Sequence, residues 1–166
     1  ELVRLIDVIS LTRPSDLIEI HRQYLAAGAD IIQTNTFNAS PVGMDEFDLS
    51  LEVVREINHA AATAAREAAD EFTDKTPDMP RFVAGSIGPT AKQMAICTDV
   101  SDASHRAVTF DQMSQSYYEQ VAALMDAEVD ILMPETVIDT LNLKACLFAI
   151  DRYFNESGRR IPVMVS

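Results

Sequence analysis

The chain has 166 residues, 48% hydrophobic and 23% charged, with a formal net charge of −13, a composition that fits one globular domain. The negative charge, with no basic block longer than Arg159-Arg160, argues against nucleic acid and against an anionic membrane surface, whose binders carry clustered Lys and Arg. No apolar run approaches the roughly 20 residues that span a bilayer and Glu1-Leu2-Val3-Arg4 lacks a signal-peptide layout, so the two distant cysteines, Cys97 and Cys146, read as free thiols of a cytoplasmic protein.

Glu1 to Thr12 is apolar without a clear period and begins abruptly. Pro14 and Asp16 suit the first turn of a helix. Leu17, Ile20 and Tyr24 form its apolar face, and Gly28 suits the left-handed residue just past its end. Asp30-Ile31-Ile32-Gln33 reads as a buried strand that stops at Thr34-Asn35-Thr36. A loop with Pro41 and Gly43 leads to a helix from about Ser50 to Phe72, with Leu51, Val54, Ile57, Ala61, Ala64, Ala68 and Phe72 on one face. Phe82-Val83-Ala84 is a second strand, ending in Gly85-Ser86-Ile87-Gly88-Pro89-Thr90, and a long loop follows to about Val108.

Thr109 and Gln112 make a capping box, backed by a Val108–Met113 hydrophobic staple. The helix they start has Met113, Tyr117, Val121 and Leu124 on its apolar side. Asp130-Ile131-Leu132-Met133 is a third strand, ending in Pro134-Glu135-Thr136. A last helix, about Asp139 to Glu156, shows Leu143, Leu147, Ile150 and Phe154 at helical spacing and stops at Gly158; Pro162 to Ser166 reads as a fourth strand. Strands alternating with helices predict an α/β fold with a parallel sheet and right-handed crossovers. A closed (β/α)₈ barrel typically takes ~250 residues. About four strands and abrupt ends favour a partial barrel over a small open sheet.

Ligand contacts in parallel α/β folds gather at the carboxyl ends of strands. Three such ends line up here: Thr34-Asn35-Thr36, Gly85-Ser86 and Glu135-Thr136. Glu135 carries the most weight, because a carboxylate after an apolar strand needs a cationic or hydrogen-bonding partner, and a substrate ammonium would serve. The competing reading has Glu135 capping the next helix or pairing with a lysine. For the Thr-Asn-Thr triplet the competing reading is local turn hydrogen bonding.

His21, His59 and His105 are dispersed and lack zinc-motif spacing. Cys146 lies among Leu143, Leu147 and Ile150, which suits a buried, inert thiol, and Cys97 has no histidine or second cysteine near it. Gly85-Ser86-Ile87-Gly88 lacks the third glycine and the spacing of a dinucleotide fingerprint.

The run Ile20 to Phe37 (IHRQYLAAGADIIQTNTF) resembles the homocysteine S-methyltransferase family, most closely the homocysteine-binding domains of its cobalamin-dependent, methionine-forming members. Val83-Ala84-Gly85-Ser86-Ile87-Gly88-Pro89-Thr90 and Glu135-Thr136-Val137-Ile138-Asp139-Thr140-Leu141-Asn142 extend the likeness in the same order. Gln33, where glutamate is expected, and Pro134 before the Glu-Thr pair are small departures.

The resemblance implies a (β/α)₈ barrel that transfers a methyl group to the thiolate of homocysteine. Zinc in the full domain lowers the thiol pKa. It implies that Glu135 contacts the substrate amino group, with Thr34, Asn35, Thr36 and Ser86 in the same pocket. The family's first strand would precede Glu1 and its zinc cysteines would follow Ser166, so neither Cys97 nor Cys146 takes a metal role. Cobalamin and folate are handled by other domains of the resembled enzymes.

The chain is therefore expected to be a fragment, residues 1–166, of one homocysteine-binding barrel domain, inactive by itself. The alternative is a non-catalytic half-barrel binding or assembly module. Exposed strand edges predict self-association in either case.

Overall fold

A computed structural model describes residues 5–97, 101–102 and 105–166. Glu1 to Arg4 and parts of the loop read between Thr90 and Val108 lie outside the described residues. A turn at Ile6–Val8 and a short helix α1 (Ile9–Thr12) lead into α2 (Pro14–Ala26). Next come β1 (Ile31–Gln33), α3 (Leu51–Lys75), β2 (Phe82–Ile87), α4 (Phe110–Asp126), β3 (Ile131–Pro134) and α5 (Thr140–Ser157). The three strands pair in sequence order and all in parallel. Ile31 lies opposite Phe82, Ala84 opposite Ile131 and Ile87 opposite Pro134. This is the alternation expected of a partial (β/α)₈ barrel.

Two strands differ from their reading in the sequence. β2 runs on to Ile87, so Gly85 and Ser86 lie inside it, because β3 supplies partners from Ala84 onward. The segment read as a fourth strand makes a single parallel bridge, Leu132 to Val163. The N–H of Leu132 donates to Pro162 O, and those of Met164 and Ser166 donate to Leu132 O and Pro134 O, each at 3.0 Å. It lies along one side of β3, and Val163, Met164 and Val165 stay exposed.

Capping follows the local chemistry. Ser50 Oγ accepts from Val53 N at the start of α3, and both bonds of the Thr109–Gln112 capping box form. Gly158, at φ 72, closes α5 in the left-handed region that glycine enters without strain.

Helix faces were harder to read. The α3 stripe of Val54, Ile57, Ala61, Ala64 and Ala68 is buried, whereas Leu51 at its start is exposed. In α2 the buried residues are Leu17, His21 and Leu25, while Ile20 and Tyr24 are 44% and 65% exposed. Spacings of three and four residues both recur on one helix face. Packing against α3 selects the set of Leu17, His21 and Leu25. α5 likewise buries Ala145, Cys146, Ala149 and Ile150 and exposes Leu147.

The main core joins Ile32, Val83, Leu124, Leu132 and Ile150 between sheet and helices, and a smaller cluster of Leu5, Met44, Val54 and Ile57 lies apart from it.

Candidate functional site

Side chains alternate across a sheet, and parallel neighbours in register share a face. The pairs Gln33–Ala84 and Ala84–Ile131, with Ser86–Met133 two residues on, put Gln33, Ser86 and Met133 on one face. Glu135 continues that face just past β3, its N–H donating to Ile87 O at 3.0 Å. There the three polar groups meet. Ser86 Oγ donates to Glu135 Oε1 at 2.5 Å and Gln33 Nε2 donates to the same oxygen at 2.9 Å. Among the described residues no donor reaches Oε2, and no lysine or arginine pairs with this half-buried carboxylate.

Thr34 and Thr36 lie behind this wall. Their hydroxyls are 2.6 Å apart; Thr36 Oγ1 donates to Ser86 O at 2.7 Å, and Ser86 N donates to Thr34 Oγ1 at 3.0 Å. Both side chains are buried and stitch the end of β1 to β2. Asn35 turns the other way and donates to Ile6 O at 3.2 Å. Of the five residues singled out in the sequence, Ser86 and Glu135 touch; the two threonines hold the strand behind Ser86, and Asn35 ties down the segment before α1. Gln33, noted in the sequence as a departure, is the third member of the wall.

Three buried amides that the sequence reading passed over hold the loops at the strand ends. Asn58 of α3 donates to Ala39 O at 2.6 Å. Gln120 of α4 donates to Thr36 O at 2.8 Å and also reaches Ser86 O at 3.4 Å. Asn142 of α5 donates to Lys92 O at 2.9 Å and accepts from Met94 N at 3.2 Å. Their signal was a polar residue on or beside an apolar stripe, such as Gln120 next to Val121. Buried polar groups demand partners, and here the amide N–H groups donate to backbone carbonyls of the loops and of β2.

Gly88 brings two of these loops together. Its N–H donates to Phe37 O at 2.9 Å, and an added Cβ would stand 2.4 Å from that oxygen and 2.8 Å from the Phe37 ring. Thr136, next to Glu135, has φ +57, a rare and strained conformation for a β-branched residue.

Two buried carboxylates flank the region. Burial pushes the Asp7 carboxyl up, against the lowering effect of its bond from Asn38 N. At Asp139 burial acts in the same direction, but N–H donors from Ala95, Leu141 and Asn142 outweigh it and hold the carboxyl below its usual range.

Among the described residues the donors a metal would need do not assemble: no three His, Cys, Asp or Glu side chains form a metal set. Burial pushes the Cys146 thiol up to about 12, which keeps it protonated, and exposed Cys97 donates to Asp102 O at 3.1 Å. These residues do not fit zinc. Nor is any helix among the described residues long and apolar enough to cross a membrane.

Open space is unevenly placed. A small cavity of about 20 Å³ flanks Glu135 beside Ile138 and Asn142. A larger one, about 460 Å³, runs along β1 between α2 and the N-terminal segment. Only the first touches the carboxylate.

Comparison with known proteins matches residues 3–166 to the family model described as homocysteine S-methyltransferase. Crystal structures of the homocysteine methyltransferase MmuM from Escherichia coli share the fold. The oxidised form has a TM-score of 0.76 at 23% identity, over 95% of this chain and 52% of that one. The metallated form has a TM-score of 0.72 at 23% identity, over 87% and 50%. The apo form has a TM-score of 0.69 at 20% identity, over 96% and 52%. The chain spans about half the length of these structures.

Proposed function

This chain belongs to the homocysteine S-methyltransferase family, and we propose that it supplies the part of a methyltransferase barrel that recognises the amino-acid end of homocysteine. One observation carries the reading. Glu135 is a half-buried carboxylate held at one oxygen by two neutral donors, Ser86 and Gln33, with no cation beside it among the described residues. A carboxylate so placed is incompletely compensated. The ammonium of an α-amino acid supplies the missing charge, and Oε2 is the atom left to receive it.

In this reading Ser86 and Gln33 orient the acceptor, and Thr34 and Thr36 keep Ser86 in place. Asn35 holds the segment before α1 against the rim. Residues 1–166 then act as one portion of a single barrel domain. Activation of the thiol on zinc, and methyl delivery from cobalamin or folate, call for groups that the described residues do not provide. The purified chain is expected to form no methionine.

Titration calorimetry with L-homocysteine tests the reading. Binding should weaken about 10- to 100-fold in Glu135→Gln, the range for losing a charge-assisted hydrogen bond. 4-Mercaptobutyrate, which lacks the amino group, should not distinguish the variant from the parent chain. Equal homocysteine affinity in both proteins would refute the role of Glu135.

A further inference from the structure

Two chain segments meet at the small cavity beside Glu135. Gly88 and Pro89 line it from the loop that leaves β2. Glu135, Ile138, Asp139 and Asn142 line it from the β3–α5 connection and the first turn of α5. Its volume of about 20 Å³ is room for roughly one water-sized group, and an ammonium is of that size.

Residues 88–95 of the loop contain no helix or strand, and two side chains at the start of α5 hold them. Asp139 Oδ1 accepts the N–H groups of Leu141 and Asn142 at 2.7 and 3.3 Å, while Oδ2 accepts that of Ala95 at 2.8 Å. Asn142 Oδ1 accepts from Met94 N at 3.2 Å, and its Nδ2 donates to Lys92 O at 2.9 Å. Thr90 Oγ1 donates to the same carbonyl at 2.7 Å. Both α5 side chains are buried, and so is Met94, which joins the main core.

Helix capping alone does not call for this arrangement. A cap needs one acceptor oxygen, yet the second oxygen of Asp139 and the whole amide of Asn142 go to the loop. Loops are ordinarily the mobile part of a fold. This one is fixed at Met94 and Ala95 by α5 and at Gly88 by Phe37 O, so the wall between them stands still beside Glu135.

We propose that Asp139 and Asn142 are positioning residues for amino-acid recognition, holding the 88–95 loop against Glu135 so that the cavity keeps the width of a primary ammonium. The inference rests on the reading of Glu135 as the acceptor of that ammonium. The polar atoms of both side chains are already engaged, so they act through the loop. A charge-assisted hydrogen bond is short and directional. A wall that drifts admits water beside Oε2 and weakens it.

Asp139→Asn separates capping from clamping. Asparagine caps a helix as well as aspartate does, but its second polar group is an amide that opposes the N–H of Ala95. Amide exchange should rise at Met94 and Ala95 and keep the parent rate along α5. In titration calorimetry L-homocysteine affinity should fall about 3- to 10-fold, the worth of one hydrogen bond. Affinity for 4-mercaptobutyrate, which has no amino group to misplace, should not change. General loss of stability would instead weaken both ligands alike. Asn142→Ala should act in the same direction and more strongly; if it does not fold, Asp139→Asn carries the test alone.

Glu135→Gln measured in parallel tells two failures apart. If it weakens homocysteine binding and Asp139→Asn does not, the positioning role falls and the reading of Glu135 stands. If it keeps the parent affinity, or the parent chain binds no homocysteine, both fall. Equal losses for the two ligands in Asp139→Asn, or unchanged exchange at Ala95, would also overturn the inference.

Discussion

Ser86 and Glu135 are joined by a hydrogen bond of 2.5 Å from Oγ to Oε1, and Ser86 is fixed from behind by Thr34 Oγ1, which accepts its N–H at 3.0 Å. The first bond aims the carboxylate and the second aims Ser86. Ser86→Ala removes only the first. Unfolding in urea should show a loss of about 1 kcal/mol, the usual net worth of one hydrogen bond. Homocysteine affinity should fall less than in Glu135→Gln, since Gln33 still holds the carboxylate.

Gln33 is a neutral donor beside Glu135. Its amide donates at 2.9 Å, whereas a carboxylate there would set two acceptors and two negative charges together. Gln33→Glu should lower stability by about 1 kcal/mol at pH 7. Chemical denaturation at that pH measures this.

Gly88 permits the close approach of two loops. An added methyl would meet Phe37 O, a backbone atom, at 2.4 Å. Gly88→Ala should destabilise the chain by about 2 kcal/mol, in the range for overpacking a close contact. It should also expose the Phe37 region, read as faster amide exchange at residues 36–39. Ala27→Gly, at an exposed position after α2, should shift stability far less.

Asp7 and Asp139 should give opposite pH signatures. The Asp139 carboxyl is held below the ordinary 3.8 by backbone donors that outweigh burial. Its contribution is therefore present above pH 3.8 and lost as pH falls through the native value. Asp139→Ala should cost about 1–2 kcal/mol at pH 7, as loss of a helix cap does, and less in strong acid. Burial raises Asp7 above 3.8, so its favourable contribution exists below that pH and disappears as pH rises through the native value. Asp7→Asn should be indistinguishable from the parent chain at pH 3 and relatively more stable at pH 7. Urea titrations across that interval separate the two residues.

Much of the fold was legible without coordinates. The capping box at Thr109, the helix starts near Ser50 and Asp139, and the strand starts near Ile31, Phe82 and Ile131 depend on neighbours a few residues away. The order of strands and helices led to a parallel sheet, and the three strand ends pointed to Ser86 and Glu135. The extension of β2 to Ile87 was not legible, because it depends on partners in β3. The buried side of α2 was not legible either, since the stripes through Ile20 and Tyr24 and through His21 and Leu25 have equally helical spacing.

Side-chain roles at the site divide in the same way. Sequence alone determined that polar groups stand where apolar strands end, because hydrophobic runs and turn residues are local signals. Only the tertiary structure decided that Gln33 shares Glu135 with Ser86, that Thr34 and Thr36 brace Ser86, and that Gln120 reaches Thr36 O from α4. The physical reason is the reach of the interactions. A hydrogen bond spanning 102 residues, as from Gln33 to Glu135, depends on sheet register and helix packing, which no short stretch encodes.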